Sequence, residues 1–297
     1  MLVILRETLD ERGTQMFRRL QLLFLLVLQL PAVGAGAADL KPETVDGFSR
    51  YVRATETRIE KQLARSDGIL YIDTLPEASR KEILGSLRNG QIFMQRLETK
   101  DDSRQVMTTP HGLIHHWIGD VFIPGISVGQ VLDMVEDYDH HQEIYKPEVV
   151  RSRLVARNGN AFKVAMRFRK KKMITVTLNT EHDVHYAEID SRDWYSWSVS
   201  SRIAEVADAG KATEHEKPVG HDGGFLWRIN SYWRFVERDG GVYVESESIS
   251  LTRDIPPGLS WLVKGYVTSA SRESLEHTLK STRSGALARS APHNADR

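Results

Sequence analysis

The chain has 297 residues, of which 40% are hydrophobic and 27% charged, which is typical of a folded globular protein and excludes a disordered or fibrous one. Lys plus Arg and Asp plus Glu both number 40, so no excess of charge points to nucleic acid or to an acidic membrane surface. There is no Cys, which excludes disulfides, a cysteine nucleophile, cysteine-ligated metal and a lipoprotein anchor.

An apolar segment near the N-terminus has the features of a cleavable export signal. Residues 20–30 are apolar apart from two Gln and are too short to cross a bilayer, which takes about 20 apolar residues. Two arginines precede this run, and small residues at 35–37 follow it in the order that signal peptidase accepts. We expect a Sec-type signal peptide over 1–37, cleavage near Ala37 and a periplasmic or secreted protein. A buried core helix is the alternative.

The residues upstream of this segment fit a signal peptide poorly. Glu7, Asp10 and Glu11 are unusual there, because the region before the apolar run normally carries positive charge. We therefore predict that translation starts at Met16.

Hydrophobic periodicity divides the remaining chain into a lead-in, a domain and a tail. Helical spacing predicts helices over 42–63 and 76–87, which belong to an N-terminal lead-in at 38–104. The domain, at 105–283, begins with a strand at 112–123 and helices at 126–138 and 140–145. Six strands follow, and the domain closes with a helix at 257–282; the strands are at 149–157, 161–169, 173–189, 193–206, 224–237 and 241–253. A disordered tail is expected at 284–297.

This order of elements predicts an α+β fold. Six successive strands at hairpin spacing favour an antiparallel meander, and a helix packed on one face buries the apolar surfaces of both. We expect a curved antiparallel sheet of about seven strands wrapped around the long C-terminal helix, with two extra helices at the N-terminus.

The last hairpin predicts which side chains share a face. A two-residue turn at Asp239-Gly240 sets large side chains opposite small hydroxyls, in the pairs Phe235–Val244, Trp233–Ser246, Ser231–Ser248, Ile229–Ser250 and Trp227–Thr252. The other face pairs Arg234 with Glu245 and Tyr232 with Glu247, which we expect to be solvated. Small polar residues opposite aromatic ones leave room for a ligand cavity, since a solid core is close-packed. Alternatively, the serine row faces water.

A second hairpin extends the predicted cavity. A turn at residues 191–192 places Tyr186 opposite Trp197, Val184 opposite Val199 and His182 opposite Ser201. The predicted ligand-binding residues are therefore Tyr186, Trp197, His182, Ser201, Trp227, Ile229, Trp233, Ser246, Ser248, Ser250 and, on the last helix, Tyr266.

A metal site or a catalytic site has weaker support in the sequence than a ligand cavity. The neighbours His115 and His116 point to opposite faces of a strand, and no metal-binding spacing is present, so we expect neither a metal nor another cofactor. His182 is a weak catalytic candidate, because proton transfer suits imidazole but no partner can be assigned.

The basic run Arg167, Arg169, Lys170, Lys171 and Lys172 is either a solvated hairpin tip or a transient contact with anionic headgroups. The loop 207–223 is either a lid on the cavity or a mobile link.

The element order and four short stretches resemble the START-like (SRPBCC) superfamily, whose architecture is the helix-grip fold. The stretches are GLIHHW at 112–117, DYDHH through YKPEV at 137–149, LTRDIPPGL at 251–259 and SRESL at 271–275. The resemblance covers 105–283 and includes lipid-transfer and polyketide cyclase branches. It implies a cavity for an apolar ligand between the sheet and the last helix.

These features lead to a functional expectation with two alternatives. We expect a periplasmic carrier of a small hydrophobic ligand such as a lipid, an isoprenoid or an aromatic molecule, with no nucleic-acid partner. The first alternative is a cyclase- or hydrolase-like enzyme that uses the same cavity. The second is a non-catalytic interaction module of the cell envelope.

Overall fold

The computed structural model of the protein describes residues 37–171, 174–254 and 260–290, without the side chains of 260–268. The predicted signal peptide, apart from its last residue, and the predicted start at Met16 lie outside this part of the chain.

The described residues include five α-helices and eleven strands. The helices are α1 Pro42–Leu63, α2 Glu77–Arg88, α3 Val128–Val135, α4 His141–Ile144 and α5 Ser260–Ser290, with short 3-10 helices at Tyr71–Thr74 and Tyr138–His140. The strands are β1 Ala38–Asp39, β2 Phe93–Arg96, β3 Gly112–Pro124, β4 Val149–Asn158, β5 Ala161–Lys171, β6 Thr175–Glu188, β7 Asp193–Ala207, β8 His215–Glu216, β9 His221–Asp222, β10 Arg228–Arg238 and β11 Gly241–Arg253. None of the helices described here combines the length and the hydropathy that crossing a membrane requires.

Nine of the strands form one antiparallel sheet. Its order is β2-β3-β11-β10-β7-β6-β5-β4, with β8 on the end of β7, while β1 pairs separately with β9. All seven predicted strands are present in it, and the long C-terminal helix packs on it, so the predicted α+β helix-grip architecture is confirmed. The added edge strand β2 is too short to leave a periodic signal in the sequence.

The β10–β11 hairpin has the pairing that its turn predicts. Asp239 and Gly240 both have positive φ, at 57° and 77°, as a two-residue turn between right-twisted strands requires. The pairs from Phe235–Val244 through Ile229–Ser250 form as predicted. Trp227 lies just before the start of β10, so its predicted pair with Thr252 does not form.

The C-terminal helix continues to Ser290 instead of ending at 282. Leu275, Leu279, Thr282 and Ala286 are all buried, so one helical stripe of buried positions runs past the predicted end. The predicted tail 284–297 is therefore helical through Ser290, and 291–297 lie outside the described residues.

Both faces of the sheet are covered. The inner face packs against α3 and α5, where Val121, Phe235 and Val244 meet Leu279 in one apolar cluster. The outer face packs against α1, through a cluster that includes Phe48, Tyr232 and Ile249. A third cluster joins α2 and the first 3-10 helix to Phe122, Val236 and Tyr243. The N-terminal lead-in is thus a second layer on the sheet.

This second layer corrects the predicted solvation of the outer face. Arg234, Glu245 and Glu247 have fully buried side chains, and Tyr232 is 1% exposed. Arg234 forms ion pairs with both glutamates, and Arg58 of α1 forms another with Glu247. The alternation of charge with small residues predicted a wet face, because nothing in the two strands reveals that a distant helix supplies a partner.

Candidate functional site

The hairpin between β6 and β7 differs from its prediction by one residue. Its loop is longer than two residues: Glu188 pairs with Trp194, and the Asp190 carboxylate accepts the N–H groups of Arg192 and Asp193 at 2.8 and 2.9 Å. Tyr186 therefore pairs with Ser196, Val184 with Ser198 and His182 with Ser200. Because side chains alternate along a strand, this slip of one residue moves the side chains of 194–200 to the other face. A bulge at Ser201 restores the predicted register beyond it, so that Glu181 pairs with Arg202.

Three predicted binding residues lie away from the inner face, Trp197 and Ser201 because of this slip and Trp227 because it precedes β10. Trp197 is on the outer face, stacked on His185 with ring centroids 4.9 Å apart. Ser201 is exposed at a bulge in β7. Trp227 packs in the outer-face cluster, and its Nε1 donates a hydrogen bond to the Asp222 carboxylate at 3.1 Å. Placing these three in the cavity is therefore wrong.

Other predicted residues do share the inner face. Ile229 and Trp233 lie there on β10, opposite Ser250 and Ser246 of β11, with Ser248 between those serines. Tyr186 is on the same face but inside the solid apolar core. Tyr266 belongs to α5, and its side chain is outside the described part of the structure. Which of these residues bind a ligand stays a prediction.

The serine row of β11 is part of a larger block. Strand β7 places Ser196 and Ser198 beside Ser231 of β10, which in turn pairs with Ser248. Ser200 shares this face of β7 and accepts the Ile229 N–H at 3.0 Å. Six further serines occupy the inner face of these three strands: Ser196, Ser198, Ser231, Ser246, Ser248 and Ser250. Across the described residues, none of these hydroxyls forms a side-chain hydrogen bond. The alternation of serine with larger residues in 195–200 is the signal that could have found the two on β7.

An unpaired donor adjoins this serine block. Trp117 of β3 pairs with Ser248, and its Nε1 is buried with no hydrogen-bond partner. Almost all buried polar groups in folded proteins are hydrogen-bonded, so an orphaned donor beside several free hydroxyls calls for an explanation. A bound polar group would supply the missing partner.

Two buried histidines flank the serine block. Nε2 of His115 lies 3.0 Å from the Thr252 hydroxyl, and Nε2 of His182 lies 2.9 Å from the Thr180 hydroxyl. Burial lowers the pKa of both rings to about 4, so both are neutral at pH 7. Neither ring is hydrogen-bonded to a carboxylate within the described chain. This arrangement suits hydrogen bonding to a ligand better than activation of a nucleophile, which needs an oriented base.

The inner face is thus divided along the strands. At the end near the β10–β11 turn, close-packed apolar side chains fill it, among them Val121, Phe235 and Val244. At the other end lie the serines, with the indoles of Trp117 and Trp233 only partly buried. Such a surface can hold a molecule that is apolar over most of its length and polar at one end. No group of three potential metal ligands occurs among the residues described.

Arg167, Arg169 and the loop 207–223 lie on the outer face, whereas Lys170 of the basic run is on the inner side, where its Nζ donates to the Ser274 hydroxyl of α5 at 3.0 Å. Arg167 donates two hydrogen bonds to Glu214, at 2.8 and 2.9 Å, and Lys170 is paired with Glu148. Arg202 is paired with Glu216 of β8, so ion pairs and the β7–β8 ladder hold the loop to the outer face. The loop is therefore not a lid over the inner face. Lys172 is outside the described residues, and membrane contact through the run stays a prediction.

Comparisons with known proteins found solved structures of low similarity to this chain. No protein-family model and no curated protein matches the chain. Among solved structures, the chain is similar to a Thermus thermophilus protein at 16% identity and a TM-score of 0.42, covering 59% of this chain and 98% of the other. A STAR-related lipid transfer protein of Xanthomonas axonopodis has 16% identity and a TM-score of 0.41, with 65% and 98% covered.

A third similar structure is the Zhui aromatase/cyclase of a Streptomyces species, at 14% identity and a TM-score of 0.36, with 60% of this chain and 96% of the other covered. These scores carry no functional weight. The fold assignment rests on the element order and strand register described above.

Proposed function

We propose that this protein binds a small, mainly apolar molecule that has one polar end, between the serine-rich end of the inner face and α5. The unpaired hydrogen-bonding groups carry the proposal: six serine hydroxyls on three adjacent strands, next to the orphaned Nε1 of Trp117. A core that needed only stability would fill these positions with aliphatic side chains, because buried polar groups without partners destabilise a fold.

The apolar and polar parts of the site have different roles in binding. Apolar contact with the half-buried indoles supplies affinity, at about 25 cal/mol for each Å² of apolar surface buried. The serines, Trp117 and the neutral imidazoles of His115 and His182 orient the polar end. A lipid, an isoprenoid or an aromatic molecule with a hydroxyl or carbonyl group has this chemistry, and a carrier needs no catalytic group.

Native mass spectrometry of the purified protein tests the proposal. We expect the wild type to retain a co-purified apolar ligand, and Ser248→Leu to lose it because the added side chain fills the site. Ser201→Leu is the matched control, since it makes the same change at an exposed bulge and should leave retention intact. Equal retention by Ser248→Leu and the wild type would refute the site. Turnover of screened esters or polyketides would favour the enzyme alternative.

We also propose that the protein acts outside the cytoplasm. The apolar run at 20–30, its arginine flank and the small residues at 35–37 support export. Cell fractionation combined with N-terminal sequencing checks this: the mature chain should be in the periplasm or medium and begin at residue 38. An uncleaved chain in the cytoplasm would contradict export without affecting the ligand site.

A further inference from the structure

A groove on the outer face has a chemistry that the proposed carrier site does not use. It has a volume of about 380 Å³ and lies between the ends of β4, β5 and β6 and the loop that follows β7. Arg151, Arg167, Arg169 and Thr177 line it from the strands, and Gly210 and Glu214 line it from the loop. The register places Arg151 beside Arg167 and Arg169 beside Thr177.

The groove carries an excess of positive charge. Arg167 and Glu214 neutralise each other through two hydrogen bonds. The hydrogen bonds from Arg167 and from the Gly210 N–H lower the pKa of Glu214 to about 2, so this carboxylate is ionised. Its charge is already paired with that of Arg167. The exposed guanidinium groups of Arg151 and Arg169 form no hydrogen bond or ion pair within the part of the chain that the structure describes. Two unmatched positive charges therefore remain.

A buried hydroxyl at the groove adds an independent sign of a ligand. Thr177 is 3% exposed, and its Oγ1 has no hydrogen-bond partner. An isolated hydroxyl of this kind destabilises the free protein, because it has lost water without gaining a partner. A ligand oxygen in the groove would give it one.

We propose that this groove binds a phosphate monoester group. Guanidinium groups match phosphate oxygens in planar, paired hydrogen bonds, and two of them balance the double charge of a monoester better than the single charge of a carboxylate. The Thr177 hydroxyl supplies a further donor. The phosphate comes either from a lipid headgroup or from a soluble phosphate ester. This site is on the opposite face of the sheet from the serine block and does not depend on it.

Titration calorimetry of the full chain with inorganic phosphate tests the site at low ionic strength, where charge contacts are least screened. We expect saturable binding that weakens at least about tenfold in the double variant Arg151→Gln, Arg169→Gln, since each removes a charge-assisted hydrogen bond. Arg192→Gln is the control, because this exposed arginine lies in the hairpin at the far end of β6 and should leave binding unchanged.

Thr177→Val separates hydrogen bonding from charge. It should weaken phosphate binding about three- to tenfold while leaving the melting temperature equal or higher, because the lost hydroxyl had no partner. Absent binding by the wild type, equal weakening by Arg192→Gln, or unchanged affinity in Thr177→Val would each overturn the proposal.

Vesicles distinguish the two sources of phosphate. If phosphatidylcholine vesicles that contain phosphatidic acid bind the wild type but not the double variant, the ligand is a lipid headgroup. If inorganic phosphate binds and these vesicles do not, the ligand is a soluble ester. Both results support a phosphate site.

Discussion

His116 and Glu247 are joined by a hydrogen bond of 2.8 Å, between Nε2 and Oε1, in the layer between the sheet and α1. The ionised carboxylate can only accept, so Nε2 carries a proton, and Nδ1 of the same ring is hydrogen-bonded to the Tyr51 hydroxyl at 2.9 Å. The same hydroxyl accepts the Thr99 N–H at 2.9 Å. This chain of bonds, together with the ion pair from Arg58, fastens α1 to the central strands.

Removing the charge of Glu247 should destabilise the protein strongly. Burial alone would raise the pKa of Glu247, but the bond from His116 and the charges of Arg234 and Arg58 hold it at about 2. Glu247→Gln leaves Arg234 short of a buried partner, which costs about 3–5 kcal/mol. Urea unfolding measures this. Glu82→Gln, on the exposed side of α2, should change stability little.

Three buried histidines should each make the fold less stable as the pH falls from about 6.5 to about 4. Burial lowers the pKa of His115, His141 and His182 to about 4, so across this range the unfolded chain binds protons that the folded chain does not, and stability rises with pH. Burial raises the pKa of Glu245 to about 7 and that of Asp120 well above its usual range, and these two carboxyl groups act in the opposite direction. Glu136, Asp193 and Asp222, whose pKa values burial also raises, act in that same direction. The contribution of the histidines is therefore measured by substituting one of them.

The variant His182→Gln measures how much one buried histidine contributes to the pH dependence of stability. The slope of unfolding free energy against pH should fall by up to about 1.4 kcal/mol per pH unit between pH 4 and 6.5, because one fewer buried imidazole resists protonation. Urea titrations at several pH values measure the slope. His215→Gln, in the exposed loop after β7, should leave it unaltered. Parallel curves for His182→Gln and the wild type would contradict the prediction.

Gly119 sets how closely α5 approaches the sheet. A Cβ at this position would lie 2.7 Å from Cδ1 of Leu279, 2.4 Å from Sδ of Met94 and 2.9 Å from the Phe93 carbonyl oxygen. Gly119→Ala should therefore destabilise by about 1–3 kcal/mol through overpacking. Gly85→Ala should instead stabilise by about 0.5–1 kcal/mol, since nothing lies within 4 Å of that Cβ in α2. Thermal unfolding of both variants checks the opposite signs.

The paired hydroxyls of Tyr138 and Tyr186 should respond unequally to deletion. They lie 2.9 Å apart, and the Tyr186 hydroxyl also donates to the Val135 carbonyl oxygen at 3.3 Å. Tyr186→Phe leaves the buried Tyr138 hydroxyl without a partner and takes one of two donors from the Val135 carbonyl oxygen, the other being His141 Nε2 at 3.1 Å. It should cost about 1–3 kcal/mol, whereas Tyr138→Phe leaves the bond to Val135 intact and should cost less. The double variant should be no less stable than Tyr186→Phe alone. Equal costs for the two single variants would contradict this reading of the bonds.

The accuracy of the predicted strand register depended on how well each hairpin turn could be recognised in the sequence. Asp239 and Gly240 accept positive φ, so their two-residue turn determines the register of β10 and β11 and places Ser246, Ser248 and Ser250 correctly. The β6–β7 loop contains no glycine, and its length depends on the hydrogen bonds of Asp190. A one-residue error there exchanged Ser196 and Ser198 for Trp197 in the predicted site.

The covered outer face could not be predicted from local pattern. Arg234 and Glu245 are adjacent charges on neighbouring strands, which is also the pattern of a solvated face. Their burial depends on α1 and on Tyr71, whose N–H donates to Glu245 from a position far away in sequence. Such long-range partners leave no trace in the periodicity of either segment.

The bonds between α1 and the sheet also determine when the fold can be completed. Arg58 and its partner Glu247 are 189 positions apart, and Tyr51 and His116 are 65 apart. A chain synthesised from its N-terminus exposes Phe48 and Ile59 until β11 has been made and paired. Contacts of such long sequence separation slow folding, so these apolar side chains stay exposed to water until synthesis is nearly complete.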